Sequence, residues 1–240
     1  MTEPTRLAKR VVALAHCSRR EAEQYIEGGW VRVDGVVIEK PQFMVDTQSV
    51  EIDPAATLAP LEAITLVLHK PVGYDAGDGP NPASALVTHA THTPDDPSGV
   101  RPLQRHLTHL TALLPLPTQA SGLLVFSQDW RVVRNLGEGG EHIEQEFVVE
   151  VDGTLTAGNL ALLNHGLEIN HYALPPIKVS WQSERRLRFA FKRLQPSQIE
   201  PMCQAVGLRV LGMKRLRIGR IPLARLASGQ WRYLAPAERI

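Results

Sequence analysis

Residues 114–126 read LPLPTQASGLLVF, and the interpretation of this stretch decides the fold. It ends in the apolar run 123–126, which predicts a buried β-strand. Its first half contains Pro115 and Pro117, and a proline has neither a carboxylate nor a backbone N–H. A core strand is therefore preceded by a segment in which two positions carry no reactive group.

The overall composition is that of an ordinary soluble globular protein. The chain has 240 residues, 43% of them hydrophobic, and a formal net charge of +1. The charge is unevenly distributed, because residues 201–240 carry eight basic side chains against one acidic side chain. A basic C-terminal block of this kind can follow a phosphate backbone, although a solvated face explains it equally well.

Cysteine and histidine usage suggests neither disulfides nor a metal site. Cys17 and Cys203 are the only cysteines, and the start of the chain lacks the pattern of a signal peptide. The pairs His89/His92 and His106/His109 have helical spacing, but no cysteine or carboxylate cluster accompanies them. We expect a cytoplasmic monomer with no cofactor, no metal and no membrane association.

The first fifty residues predict a small α/β module. Apolar residues recur at helical spacing from Leu7 to Leu14, and Ser18 with Glu21 forms a capping box for a second helix over 19–27. An Asp34-Gly35 turn joins two short strands in the range 31–38, and residues 50–52 alternate as a further strand.

The rest of the chain alternates strands and helices around one long loop. The linker is placed at 56–63, and the region 76–104 is a loop rich in Gly, Pro, Thr and Asp. Strands are predicted at 64–68, 123–126, 147–151, 187–191 and 208–218, and helices at 156–166 and 196–206.

The N-terminal module resembles the RNA-binding domain first known in ribosomal protein S4. The resemblance lies in Arg6 and Lys9, in residues 17–22 (CSRREA) and in residues 29–35 (GWVRVDG). A helix N-terminus that carries arginines favours a bound phosphate. The resemblance implies that the RNA contacts are made by Arg6, Lys9, Ser18, Arg19, Arg20 and Arg32.

Nearly all of the remaining chain resembles the bacterial ribosomal-RNA pseudouridine synthases of the RsuA and RluF type, which carry this same module. The matching motifs are 69–74 (HKPVGY), 121–129 (SGLLVFSQD), 144–151 (EQEFVVEV), 198–208 (QIEPMCQAVGL), 216–219 and 226–234. The resemblance implies an α+β fold. An RNA-binding domain would occupy 5–55, and a larger synthase-like domain with an extended, mainly antiparallel sheet would occupy 64–236.

The departures from this family lie where its chemistry is performed. Pro117 stands where the family has its nucleophilic Asp, and Pro115 stands where it has a nearby Arg. Phe147 replaces the active-site Tyr, and Glu200 replaces the Arg that pairs with the catalytic carboxylate. The losses are mutually consistent, because an Arg kept without its carboxylate would be an unpaired charge.

Three hypotheses remain open. The leading one is an RNA-binding protein of this family that is catalytically inactive and binds structured, most simply ribosomal, RNA. Its further RNA contacts would be Lys70, Tyr74, Phe147, Lys214, Arg215 and Arg217. The alternative is an active synthase acting on ribosomal or transfer RNA, in which Asp75 or Asp78 substitutes for the missing Asp. A third is a protein-interaction scaffold whose RNA site is vestigial.

Overall fold

The computed structural model describes residues 4–60, 62–165, 167–169 and 171–238. The α-helices are α1 (Leu7–Ala15), α2 (Arg19–Glu27), α3 (Trp130–Gly139), α4 (Ala157–Asn164) and α5 (Ile199–Ala205). Short 3₁₀ helices lie at Ala83–Leu86, His89–Thr91, Gln104–Leu107, Gly140–His142 and Pro196–Gln198. Within the described residues, no helix combines the length and the hydropathy needed to cross a bilayer.

The strands are short at the N-terminus and longer afterwards. The first five are β1 (Thr5–Arg6), β2 (Val31–Val33), β3 (Val36–Val37), β4 (Met44–Val45) and β5 (Val50–Ile52). The next six are β6 (Thr65–Lys70), β7 (Thr111–Leu113), β8 (Ala120–Ser127), β9 (Gln145–Asp152), β10 (Glu168–Ile169) and β11 (Tyr172–Ala173). The last five are β12 (Lys178–Ser183), β13 (Arg186–Phe191), β14 (Arg209–Ile218), β15 (Ile221–Pro222) and β16 (Trp231–Tyr233).

The first of two compact units contains Met1–Ala63 together with Arg101–Thr108. Helices α1 and α2 pack on the sheet β3-β2-β5 around Leu7, Val11 and Ile26, none of which has exposed surface. The predicted capping box of α2 is confirmed, because the Ser18 hydroxyl accepts from the N–H of residue 21 and the reciprocal contact is also made. The predicted hairpin is confirmed as well.

A segment from much later in the chain completes this first unit. Arg101 places its guanidinium 3.9 Å from the centroid of the Trp30 ring. It donates to the carbonyl oxygen of Gly29 at 2.7 Å and to Asp53 Oδ2 at 3.2 Å. The backbone N–H of Gln104 donates to Glu39 Oε2 at 2.7 Å. Residues 101–108 are therefore part of the N-terminal unit, and sequence periodicity does not indicate this.

The second unit contains Ile64–Val100 and His109–Ile240. Its nine-stranded sheet has the order β12-β13-β9-β14-β8-β6-β16, with β15 beside β14 and β7 beside β8. Among these pairings only β14–β8 is parallel. One core cluster joins the sheet to residues of α4 and α5, and a second contains Leu136 of α3. The α+β fold with a mainly antiparallel sheet is therefore confirmed.

The main differences from the sequence predictions are local. Helix α3 was not predicted, because Gly137 and Gly139 weaken its pattern, yet Asp129 caps it by accepting from the N–H of residue 131 at 2.8 Å. The helix predicted for 156–166 is α4, and position 166 lies outside the described residues. The long loop at 76–104 contains the 3₁₀ turns Ala83–Leu86 and His89–Thr91.

Candidate functional site

Three of the family-like motifs meet strand β14 in one row across the central sheet. Lys70 of β6 is opposite Gly122 of β8, which is opposite Arg215 of β14. Arg215 is in turn opposite Phe147 of β9, which is opposite Phe189 of β13. Residues directly opposite each other in a sheet share a face. The register therefore brings Lys70, Arg215 and Phe147 to one side of the sheet.

Gly122 lets the central strands approach closely. Its φ is +114°, which disfavours any residue with a Cβ. A Cβ built there would lie 2.3 Å from the carbonyl oxygen of Arg215. The row thus has a position without a side chain between Lys70 and Arg215.

The Lys70 side chain has no exposed surface. Its ammonium donates to the carbonyl oxygens of Tyr74 at 2.7 Å, Pro71 at 3.0 Å and Thr118 at 3.4 Å. Burial lowers the pKa of Lys70 to about 8; Asp75 opposes this effect and Arg215 adds to it. The ammonium is therefore held by carbonyl dipoles, and the negative charge of Asp75 favours its charged form.

Arg215 is also completely buried. Its Nε donates to the carbonyl oxygen of Leu123 at 2.7 Å and its Nη1 to Gln145 Oε1 at 2.8 Å. Its Nη2 has no hydrogen-bond partner among the described residues. Burial lowers the pKa of Arg215 to about 9. This guanidinium, 5.8 Å from the centroid of the Phe147 ring, is a buried cation whose neighbours are neutral acceptors.

The four degenerate positions have different surroundings. Pro115 is exposed, and Pro117 is half-buried just before β8, where its carbonyl accepts from the N–H of residue 120 at 3.0 Å. Phe147 is fully buried and stacks on Phe191 with a centroid separation of 5.4 Å. Glu200 is exposed on α5, where its carboxylate accepts from a neighbouring amide of the same helix.

A carboxylate nevertheless lies beside Pro117. Asp75 Oδ1 accepts a hydrogen bond from the hydroxyl of Thr118, the next residue, at 2.8 Å. Its other oxygen accepts from the N–H of Asn81 at 3.1 Å. The hydrogen bond from the Thr118 hydroxyl lowers the pKa of Asp75 most, and the hydrogen bond from the N–H of Asn81 lowers it further. Of the two loop carboxylates named as possible replacements, Asp75 therefore contacts the residue after Pro117, whereas Asp78 is exposed.

The other predicted contacts of this unit have different surroundings. Lys214 and Tyr74 are partly exposed. Arg217 forms ion pairs with Glu144 at 2.5 Å and Glu146 at 3.0 Å, and Glu146 also pairs with Arg188 at 2.8 Å. The charge of Arg217 is therefore balanced within the sheet. Lys70, Arg215 and Phe147 present no surface in this structure, and a role for any of these residues in RNA contact stays a prediction.

Three of the predicted RNA contacts of the first unit line one groove. Arg6, Lys9 and Arg19 border a depression of about 480 Å³ together with Glu23 and Met44. Arg19 forms an exposed ion pair with Glu23 at 2.9 Å. This groove offers three cations to an anion.

The remaining three predicted contacts of the first unit are also exposed. The Ser18 hydroxyl is engaged in the cap of α2, and Arg20 follows on the same helix. Arg32 lies on β2, where it donates to the carbonyl of Gly35 at 3.2 Å. Ser18 and Arg20 thus lie at the helix N-terminus, and Arg32 lies outside the residues that line the groove.

The histidine pairs do not form a metal site within the described part of the chain, where no three His, Cys, Asp or Glu residues are grouped suitably. His92 Nε2 instead lies 2.7 Å from Asp96 Oδ2, and the His92 ring packs against Trp231 with centroids 4.5 Å apart. His106 is buried. His92 and His106 are therefore engaged locally, whereas His89 and His109 are exposed.

Comparison with known proteins agrees with the motifs. The S4 domain family matches residues 5–50. The "Uncharacterized RNA pseudouridine synthase" of Aquifex aeolicus is 25% identical over 240 residues, covering 97% of this chain and 94% of that protein. The dual-specificity RNA pseudouridine synthase RluF of Escherichia coli K12 is 26% identical and covers 98% of this chain and 77% of that protein. The chain is a homologue of the RNA pseudouridine synthases.

This synthase homologue also shares the fold of a solved structure. A crystal structure of a pseudouridylate synthase aligns with a TM-score of 0.61 at 17% identity, covering 96% of both chains. The predicted resemblance to the synthase family and the predicted fold class are thereby confirmed.

Proposed function

We propose that this synthase homologue binds structured RNA, ribosomal RNA in the first instance, and does not isomerise uridine. The observation that carries the proposal is Pro117, which stands where the family resemblance places the nucleophilic carboxylate. Attack on a base requires a carboxylate held at contact distance and in a fixed orientation. A pyrrolidine ring can neither attack nor accept a proton.

Three other residues of the same unit support this conclusion. Phe147 has no hydroxyl, and its ring is packed against Phe191 in the core. Glu200 points to solvent and could not replace an arginine that pairs with a carboxylate, because it carries the opposite charge. Arg215 is a buried cation that keeps an N–H group without a hydrogen-bond partner in the described structure.

RNA binding is supported by the first unit. Arg6, Lys9 and Arg19 border one groove at an S4 domain, and Arg20 lies one residue further along α2. Guanidinium groups bind phosphate bidentately, and the N-terminus of a helix adds backbone donors and a favourable dipole.

The decisive experiment for the chemistry is direct. The purified protein is incubated with unmodified ribosomal RNA made by transcription, and pseudouridine is mapped by mass spectrometry. The RluF relative from Escherichia coli serves as the positive control. We expect no pseudouridine from this protein. The proposed inactivity would be refuted if the native protein converted any uridine and a variant with a substitution in the site did not.

RNA binding is tested by filter binding over a range of salt concentrations. Replacing both Arg19 and Arg20 by Ala should weaken binding about tenfold or more and reduce the salt dependence by about two phosphate contacts. Arg185→Ala, which removes an exposed arginine of the second unit, is the matched control. Equal affinities for the double variant and the control would contradict the assignment.

One observation favours the second candidate, an active synthase. The Asp75 carboxylate is hydrogen-bonded to Thr118, directly after Pro117, and could replace the missing nucleophile from another direction. If so, the mapping experiment would detect pseudouridine with the native protein and none with Asp75→Asn, whereas Asp78→Asn would stay active.

A further inference from the structure

The segment 71–83 folds back on itself, with Asp75 at the point where its ends meet. The backbone N–H of Asp75 donates to the carbonyl of Asn81, and the N–H of Ala83 donates to the carbonyl of Asp75, both at 2.8 Å. The Asn81 amide Nδ2 donates to the carbonyl of Gly73 at 2.8 Å. The 71–83 segment is therefore a closed loop with its own hydrogen-bond framework.

This loop is attached to the segment just before β8 that carries the degenerate motif. The N–H of Gly73 donates to the carbonyl of Thr118 at 2.8 Å, and the Thr118 hydroxyl donates to the Asp75 carboxylate at 2.8 Å. Lys70 extends from β6 into the same junction, where it donates to carbonyls of both the loop and Thr118. The Thr118 carbonyl thus accepts hydrogen bonds from the N–H of Gly73 and from the Lys70 ammonium, and the Thr118 hydroxyl donates to Asp75.

Asp75 also affects the charge balance around the buried Lys70 ammonium. A fully buried ammonium is costly unless a negative charge lies near it. The backbone acceptors supply dipoles only, and Pro117 supplies no charge. Asp75 is the carboxylate that stabilises the charged form of Lys70. The second cation of the row, Arg215, disfavours that form.

We propose that Asp75 is a positioning residue that holds the 71–83 segment closed over Lys70 through Thr118 and supplies the negative charge that Pro117 lacks. The proposal rests on the proposed function only in taking Pro117 as the site of the lost carboxylate. Lys70 then becomes accessible to an RNA phosphate only when the Asp75–Thr118 contact opens.

The hydrogen bonding of Asp75 fits this positioning role. Both carboxylate oxygens already accept hydrogen bonds, one from Thr118 and one from Asn81. The N–H and the carbonyl of Asp75 are engaged within the loop as well. Asp75 is therefore fixed by two side-chain and two backbone hydrogen bonds, which suits a residue that keeps a loop in place.

The test measures how readily Lys70 reacts with an amine-specific acetylating reagent, with Lys9 and Lys40, both exposed, as internal references. In the native protein Lys70 should react at least tenfold more slowly than Lys40. Asp75→Asn and Thr118→Val should raise its rate at least fivefold. Thr118→Ser, which keeps the hydroxyl, and Asp78→Asn, an exposed neighbour, should leave the rate as it is in the native protein.

Unchanged protection of Lys70 in both Asp75→Asn and Thr118→Val would overturn the proposal. Should Asp75→Asn fail to fold, by circular dichroism and by the rates of the reference lysines, Thr118→Val against Thr118→Ser decides it. Pseudouridine mapping on the same proteins keeps the two proposals separate. Activity of the native protein would refute the inactivity, while the acetylation rates alone would still decide whether Asp75 holds the loop closed.

Discussion

Replacing Lys70 by Met should change how the stability of this protein depends on pH. Lys70 is fully buried, and its pKa falls to about 8 in the folded state because burial disfavours the charged form. In the unfolded chain an exposed lysine has a pKa of about 10.5. Between these two values the unfolded chain holds a proton that the folded protein has released.

The sign and size of the effect follow from this difference. Because the unfolded state binds more protons over the window, the free energy of unfolding rises as the pH rises from about 8 to about 10.5. Over this whole pH window the free energy of unfolding rises by roughly 3 kcal/mol, and between pH 7.5 and 9.5 it rises by roughly 2 kcal/mol. Lys70→Met removes this contribution. Between pH 7.5 and 9.5 the free energy of unfolding of the variant should therefore rise by about 2 kcal/mol less than that of the native protein.

Urea unfolding at pH 7.5 and 9.5, at constant ionic strength, measures the difference. Lys40→Met, which removes an exposed lysine, is the matched control and should retain the native pH dependence. Pro117→Asp should also reduce the rise, because a carboxylate beside Thr118 would restore the charged form of Lys70 at higher pH. If the rise for Lys70→Met equals that of the native protein within about 0.5 kcal/mol, the buried-cation argument is wrong.

Three further substitutions test the packing by chemical denaturation. Gly122→Ala should destabilise the protein by about 3 kcal/mol or more, because its Cβ would collide with the Arg215 backbone at 2.3 Å. Gly137→Ala, in α3 with open space around it, should instead stabilise by about 0.5–1 kcal/mol, and equal effects at the two glycines would contradict the close approach. Ser18→Ala should cost about 1 kcal/mol through loss of the α2 cap, and no loss would mean that the cap is dispensable. Arg101→Ala should destabilise the protein by about 1 kcal/mol and expose the Trp30 ring to solvent, which a change in tryptophan fluorescence would report. Unchanged fluorescence would argue against the stacked contact.

Local elements were accessible from the sequence because their signals are local. The helix Arg19–Glu27 is bounded by a capping box and a Gly pair, and the Asp34-Gly35 turn requires positive φ at both residues, which are at 49° and 80°. The sheet of the second unit was expected mainly from the family resemblance, since alternation alone does not specify which strands pair.

The site shows what the sequence could not supply. Lys70, Arg215 and Phe147 were each singled out, but their common row depends on strand register, which no motif encodes. The burial of both cations depends on the same register. The contact of Asp75 with Thr118 depends on the internal hydrogen bonds of the 71–83 segment, formed by Asn81 and Gly73. Such loop geometry arises from tertiary structure and has no periodic signal.

The stacking of Arg101 on Trp30 has a consequence for synthesis on the ribosome. The chain emerges from its N-terminus, so α1, α2 and their small sheet are complete long before residues 101–108 appear. Until then the Trp30 ring and the carbonyl of Gly29 lack their partner. The nascent N-terminal unit should therefore pass through a less protected state, and it should become protease-resistant only after roughly a hundred residues have left the exit tunnel.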